Sequence, residues 1–268
     1  MQGLSAVQSL SAIQACNAIQ VCNGITVIAG GEEVVPFTNT YSVDFDGTDD
    51  YATIADANDL SFGNGSTDSA FSILVWVKMD DATSFPICEK VVNTDTREYI
   101  LHVNGSDKLQ FILYDAADED RIYVTSDSAI TANEGAWTLL VATYDGGGSA
   151  SGITLYVNDS AVAATGGSAG TYVSMNNTSG ALNIATFTAA AAFADGKFDE
   201  FAIIPSELSA AQVTAIYNSG EPADLTSYSP TVWTRFEEGS GTSIADSSGN
   251  GHTATLTNGP TFSTDVPT

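Results

Sequence analysis

The sequence predicts an all-β protein, an antiparallel β-sandwich with one short helix and an N-terminal repeat arm, and three observations carry that expectation. Runs rich in Val, Ile, Thr and aromatic residues recur along most of the chain, separated by Gly, Asn and Asp at intervals of roughly ten residues, which is how strands and turns of a sandwich are spaced. Only one stretch combines helical periodicity with caps at both ends. Residues 5–28, by contrast, repeat with a period of six.

The repeat reads Ser-Ala-Val-Gln-Ser-Leu, Ser-Ala-Ile-Gln-Ala-Cys, Asn-Ala-Ile-Gln-Val-Cys, Asn-Gly-Ile-Thr-Val-Ile, with apolar residues at every third place from Val7 to Ile28. On an α-helix a step of three falls about 60° short of a full turn, so the stripe would wander round the cylinder. On a strand it would alternate faces. A six-residue unit with Ala, Gly and Asn at its small positions resembles the strand-and-corner units of triangular β-helices, and four units are too few to bury a core in one chain. The expectation is therefore that residues 1–30 complete their core with other copies, as an intertwined trimeric stem or an arm docked on a shell. A short helix with coincidental repetition is the competing reading. Residues 31–40, around Glu33 and Pro36, read as a hinge.

From Tyr41 the pattern turns to β. Tyr41 to Ile54 is two alternating runs joined by an Asp-Gly turn, and Ala70 to Lys78 is an apolar strand of central type. Further strands are expected at Glu98–Val103, Lys108–Tyr114, Arg121–Ser126, Ala136–Tyr144, Ile153–Val157, Leu182–Ala185 and Lys197–Ile204. The helix is placed at Ser209–Asn218: Ser209 and Gln212 form a capping box, Val213, Ile216 and Tyr217 share a face, and Gly220 ends it. Beyond it, Trp233 to Pro260 sets two glycine turns and an Asp-Ser-Ser-Gly-Asn-Gly loop between short β-type runs.

Composition bounds the function. A chain that is 43% hydrophobic and only 15% charged is globular even though 33 acids against 7 bases give it a formal charge of −26. That charge repels nucleic acid and anionic membranes, which both require clustered Lys and Arg. It suits salty water and divalent counter-ions, or serves solubility alone. Cys16, Cys22 and Cys88 are too few and too oddly spaced for a disulfide framework or a zinc site, and are expected as buried thiols. Gln8, Gln14 and Gln20 interrupt every apolar run near the N-terminus, so no secretory signal is visible, and no apolar window approaches the ~20 residues that span a bilayer.

The runs Val43–Tyr51, Phe71–Val77, Trp137–Asp145, Leu155–Asn158, Gly196–Ile203 and Leu208–Tyr217 stand in the order of the laminin G-like, concanavalin A-like lectin/glucanase family, which the sequence resembles over about 220 residues with its C-terminal stretch included. The resemblance implies an antiparallel jelly roll of two sheets. It is permuted, because the "EGSGT" and "DSSGNG" segments that open the family pattern here trail the helix. Either segment 230–262 closes the jelly roll of residues 41–268, or it begins a second domain cut short. The first is favoured, since about 35 residues cannot bury a core alone.

In the family such a loop lies near the Phe-Asp-Gly strand and an Asp-Glu pair, so the resemblance implies a structural Ca²⁺ on Asp246, Asn250, Asp44, Asp46 and Asp199, with Glu200 beside it. The competing reading leaves Asp246 and Asn250 as makers of Asx turns. No catalytic residue is assigned: the Glu-x-Asp-x-Glu strand of a retaining glucanase is missing, Asp118-Glu119-Asp120 reads as a solvated turn, and His102 and His252 have no Ser or Cys motif nearby. Tyr51, Tyr114, Tyr123, Tyr172 and Tyr228 are possible sugar platforms, though alternation alone picks no sugar site.

The function expected is a non-enzymatic virion protein, a capsid decoration or fibre of a marine tailed phage whose "NGPTFSTDVP" ending resembles such proteins. It would assemble in the host cytoplasm, bind its own copies and capsid or tail proteins through the arm, and display the jelly roll to glycans. A carbohydrate-binding module or adhesin of a marine bacterium, acting outside the cell, is the alternative.

Overall fold

The computed structural model describes residues 20–22, 25–27, 33–34, 37–93, 96–115, 120–187 and 192–268. Most of the six-residue repeat, part of the hinge, Cys16 and Asp118-Glu119 lie outside the described residues. The chain forms two units, Met1–Thr38 and Asn39–Thr268. In the first, β1 (Gln20–Cys22), β2 (Ile25–Val27) and β3 (Glu33–Val34) make a three-stranded antiparallel sheet.

The second unit is a two-sheet sandwich. Its strands are β4 (Ser42–Asp46), β5 (Tyr51–Ile54), β6 (Phe71–Met79), β7 (Pro86–Asn93), β8 (Thr96–Val103), β9 (Leu109–Tyr114), β10 (Arg121–Ser126), β11 (Thr138–Tyr144), β12 (Ile153–Val157), β13 (Ser160–Ala161) and β14 (Ala164–Ala169). There follow β15 (Ala181–Ile184), β16 (Thr186–Phe187), β17 (Ala192–Phe193), β18 (Asp195–Ile204), helix α1 (Ala210–Tyr217), β19 (Val232–Thr234), β20 (Ser243–Ile244), β21 (Ala254–Thr257) and β22 (Thr261–Ser263). One sheet has nine strands in the order β14-β10-β9-β8-β7-β15-β5-β21-β20; the other has eight, β13-β12-β11-β6-β18-β4-β22 with β19 on β18. β16 and β17 form a separate ribbon.

Alternation builds the core. In β9, Leu109, Phe111 and Leu113 point inward at zero exposure while Gln110 and Ile112 point out. Phe45, Phe85 and Phe198 pack ring on ring with centroids 5.2 to 5.4 Å apart, and Phe71 contacts Phe62, Phe111 and Tyr144. The C-terminal strands enter both sheets: β21 pairs with β5, β22 with β4 and β19 with β18.

Two expectations are refined. The capping box of Ser209 and Gln212 is present, but the helix is closed by Asn218 in the left-handed conformation (φ 46°), two residues before Gly220. Strand β7 escaped the pattern because Glu89 and Lys90 interrupt its apolar run. Both are buried there, with the Lys90 ammonium 2.7 Å from Asp56 and 2.9 Å from Glu98.

The two sheets differ on their outer faces. On the eight-stranded sheet Trp76 is stacked on Tyr217 of α1 (5.6 Å, 18°), Leu74 and Trp76 are 1% exposed, and the Ser72 hydroxyl bridges Ser206 and Leu208 at the helix entrance. Among the described residues no helix lies across the outer face of the nine-stranded sheet, which carries the polar side chains described next.

Candidate functional site

Antiparallel register places Arg121 opposite Tyr114, Tyr123 opposite Ile112 and Thr125 opposite Gln110, all on the outward side of β9 and β10. With Arg97 from β8 and Ala169 from β14, all of these but Thr125 line a depression of about 430 Å³. Arg97 lays its guanidinium over the Tyr114 ring, 5.5 Å from the centroid, and an Nη donates to the phenol oxygen at 3.5 Å. Tyr114 is thereby buried to 5% exposure. The floor is a hydrogen-bonded row: His102 Nε2 to Gln110 Oε1 at 2.8 Å, and Gln110 Nε2 donating to Thr125 at 2.6 Å. Burial holds the His102 imidazole below its ordinary pKa, with the Gln110 bond opposing, which favours a neutral ring. Tyr123 stands opposite Gly167 of β14, where a Cβ would lie 2.6 Å from the Tyr123 ring; that residue has to be glycine for the ring to lie flat across the strand.

Of the five tyrosines named as possible platforms, the structure brings Tyr114 and Tyr123 together in this depression. Tyr51 packs near Phe193, Tyr172 donates to Asp68 at 2.7 Å, and Tyr228 lies in a 3-10 turn after α1. Sequence reasoning missed Arg97 and Arg121. The signal was available in cross-strand register, which one sequence does not print.

The five residues expected to hold an ion are distributed over three places. The Asp246 carboxylate accepts four hydrogen bonds, from the amides of Trp233, Ser248 and His252 and the Ser248 hydroxyl, while Asn250 donates to the Pro230 and Thr231 carbonyls. Burial acts to raise the Asp246 pKa, but those bonds outweigh it and the net shift is downward. This is the geometry of an Asx-type turn. Asp44 pairs with Lys197 at 3.2 Å, and Asp46 lies with Asp49 and Asp50 in the Asp-Gly turn.

Asp199 belongs to the third place, with Glu200 and Glu237. Consecutive strand residues normally face opposite ways, but the pairing of β18 with β6 slips between Asp199 and Ala202 and Glu200 has φ 49°, so both carboxylates reach one side. Glu200 accepts from Trp233 Nε1 and from Arg235 Nε at 3.0 Å; Asp199 accepts from Asn39 Nδ2 at 2.8 Å; Glu237 accepts from the Thr40 and Tyr41 amides. Burial, then the neighbouring Glu200 charge, pushes Asp199 well above the usual carboxylate range. Burial also pushes Glu200 up, to about 7, against the lowering effects of Arg235 and Trp233. One oxygen each of Asp199 and Asn39 is buried without a hydrogen-bond partner. An oxygen-only donor set with orphaned buried oxygens suits a hard cation such as Ca²⁺.

A family model described as the concanavalin A-like lectin/glucanases superfamily matches residues 46–214. The chain belongs to that superfamily. Among solved structures it is similar to a protein of Bacteroides ovatus provisionally described as carbohydrate binding, at 16% identity and TM-score 0.57, covering 90% of this chain and 67% of that one. It is also similar to the binding domain of Paraclostridial Mosquitocidal Protein 1 (11% identity, TM-score 0.49, 75% of this chain and 47% of that one). A third is a heptameric SAP-like pentraxin of Limulus polyphemus (13%, 0.43, 78% and 94%). No curated protein sequence matches the chain.

Proposed function

We propose that this chain is a non-enzymatic, lectin-like protein that binds saccharide in the depression formed by Arg97, Gln110, Tyr114, Arg121 and Tyr123. The observation that carries this reading is the convergence of two tyrosines and two arginines on a half-exposed sheet face of ligand-sized volume, about 430 Å³. Tyrosine offers an apolar ring face with a polar tip, and guanidinium offers several donors in a fixed plane. The description of the Bacteroides ovatus protein as carbohydrate binding points the same way. Non-enzymatic action is supported by the burial of the best carboxylate cluster: Asp199 and Glu200 are at most 1% exposed, whereas a retaining glycosidase needs two carboxylates about 5–5.5 Å apart flanking its substrate. Glycan-array binding by the full chain, lost in Tyr123→Ala, tests the reading; a folded chain that binds no glycan overturns it.

The finer placement is at a virion surface, as a capsid decoration or fibre head fixed by the repeat arm to its own copies, as a trimer, and to capsid or tail proteins. The six-residue repeat and the charge of −26 support it. Mass spectrometry of purified particles, with native mass for the oligomer, tests it. The same saccharide site serves equally in a bacterial carbohydrate-binding module or adhesin, which absence from particles would favour. A structural Ca²⁺ completes the proposal, held by Asp199, Glu200 and Glu237 with the Asn39 carbonyl, in place of the Asp246 loop.

A further inference from the structure

We infer that Lys90 and Asp56 join in an intramolecular isopeptide bond, with Glu98 as the proton shuttle. Lysine is rarely buried completely, and a buried ammonium is costly unless it is surrounded by acceptors. Lys90 is at zero exposure on β7, opposite Tyr99 of β8 and Leu182 of β15, two core residues also at zero exposure. Its Nζ lies 2.7 Å from Asp56 Oδ1, 2.9 Å from Glu98 Oε1 and 2.8 Å from the Gly180 carbonyl. These three acceptors match the three N–H groups of one ammonium and fix the nitrogen against the Asp56 carboxylate. Glu98, at zero exposure, uses its two oxygens unequally. Oε1 accepts from Lys90 and from both the amide and the hydroxyl of Thr178, at 2.9 and 2.7 Å, while Oε2 is buried without a hydrogen-bond partner. An orphaned buried acceptor costs free energy, so an ion pair kept for stability alone is better served with both oxygens satisfied. A carboxylate that takes up a proton and hands it on needs such a spare lone pair. Asp56 lies just past the end of β5 with its side chain 30% exposed, which gives a released water a way out.

The step balances within these groups. The proton between Nζ and Asp56 moves to the carboxylate, leaving a neutral amine whose lone pair faces a neutral carboxylic acid. Nζ attacks Cγ of Asp56 and the N–C bond forms. Glu98 takes a second proton from the nitrogen and delivers it to the Asp56 hydroxyl; the C–O bond breaks and water leaves. The third proton stays on the new amide nitrogen, facing the Gly180 carbonyl. One ammonium and one carboxylate become one amide and one water, Glu98 ends as it began, and nothing is oxidised or reduced. Burial favours this direction, because the charged reactants carry a desolvation penalty that a neutral amide does not. Holding amine, carboxyl and shuttle in contact within the fold makes the reaction effectively unimolecular. The product ties the end of β5 to β7 across β15, between positions 34 residues apart.

Intact-mass spectrometry of the full chain, followed by tandem spectrometry of its proteolytic peptides, tests the bond. The chain should weigh about 18 Da less than its sequence, by one water, and yield a branched peptide that joins Lys90 to Asp56. Asp56→Ala, at a partly exposed position, should fold and return to the full mass of its own sequence. Glu98→Gln should leave the bond unformed in most molecules. A wild-type chain at full sequence mass overturns the proposal. So does the loss of one water without a Lys90–Asp56 peptide, because Asp-Gly pairs such as Asp46-Gly47 lose the same mass as a succinimide. A Glu98→Gln chain that folds and cross-links fully overturns the role given to Glu98. Should that variant fail to fold, the wild-type peptide and Asp56→Ala decide alone.

Discussion

The outer faces of the two sheets are made by the same alternation and end in opposite states. On the eight-stranded sheet the outward residues Leu74 and Trp76 are apolar and buried: Trp76 stacks on Tyr217 of α1, and nearby in the C-terminal tail Asp265 ties down Lys78 at 2.7 Å and the Trp137 indole at 3.0 Å. On the nine-stranded sheet the outward residues His102, Gln110 and Thr125 are polar and bond to one another across the strands, with Arg121 and Tyr123 partly exposed beside them. A face whose apolar groups need covering contributes stability; a face whose polar groups satisfy each other can stay open for a ligand. Substitutions on the first should therefore be read in melting, and on the second in binding.

The largest effect is expected from removing the C-terminal tail together with its strands. Deleting residues 230–268 takes β19, β21 and β22 out of both sheets and exposes the edges of β4 and β5. The remainder should lose cooperative unfolding in calorimetry; a truncate that melts cooperatively at the original temperature would show that the segment is an appendage. Next in size is Trp76→Ala, which empties the contact with Tyr217 and should cost about 3–5 kcal/mol in denaturant unfolding. A cost below about 1 kcal/mol would mean that α1 seals nothing.

The carboxylate cluster gives an intermediate effect with a defined sign. The folded-state pKa of Glu200 lies above its unfolded value, at about 7, so its protonated form is the stabilising one. That contribution is complete below about pH 4.5 and is lost as pH rises through about 7, and Asp199, shifted the same way by burial, adds to the loss. In EDTA the melting temperature should fall across this window. Excess Ca²⁺ should restore it, because a bound cation favours the ionised carboxylates. Glu200→Gln should flatten the decline. A melting temperature indifferent to both pH and Ca²⁺ would remove the cluster as an ion site.

How much of this was legible in the sequence follows from how far each feature depends on neighbours in space. Strands such as Phe71–Val77 and the Ser209 capping box are written in local pattern and local hydrogen bonds, and the structure forms them. β7 was hidden because Lys90 is polar to a reader and buried in the fold, where Asp56 and Glu98 make its burial tolerable. β14, with its Gly166-Gly167 pair, has the composition of a loop and becomes a strand by pairing along β10. Asp199-Glu200 was visible as an Asp-Glu pair, but the bulge that turns both to Glu237 is a property of register. Likewise Arg97 and Arg121 lie 24 positions apart and meet only because β8, β9 and β10 are consecutive neighbours.

The smallest expected change in stability is also the sharpest probe of the open face. Gly167 touches no ligand, and it pairs with Tyr123 on the edge strand β14. Replacing it with Ala would set a methyl 2.6 Å from the Tyr123 ring, closer than such atoms approach, so the ring must swing off the strand. Because the ring sits half-exposed at the rim, it can move outward without repacking the core, and the cost in unfolding should stay below about 1 kcal/mol. Saccharide affinity, in contrast, should fall about as far as in Tyr123→Ala, by roughly tenfold, since stacking needs the ring in place. A Gly167→Ala chain that melts normally and binds normally would show that Tyr123 is a neighbour of the site and not its platform.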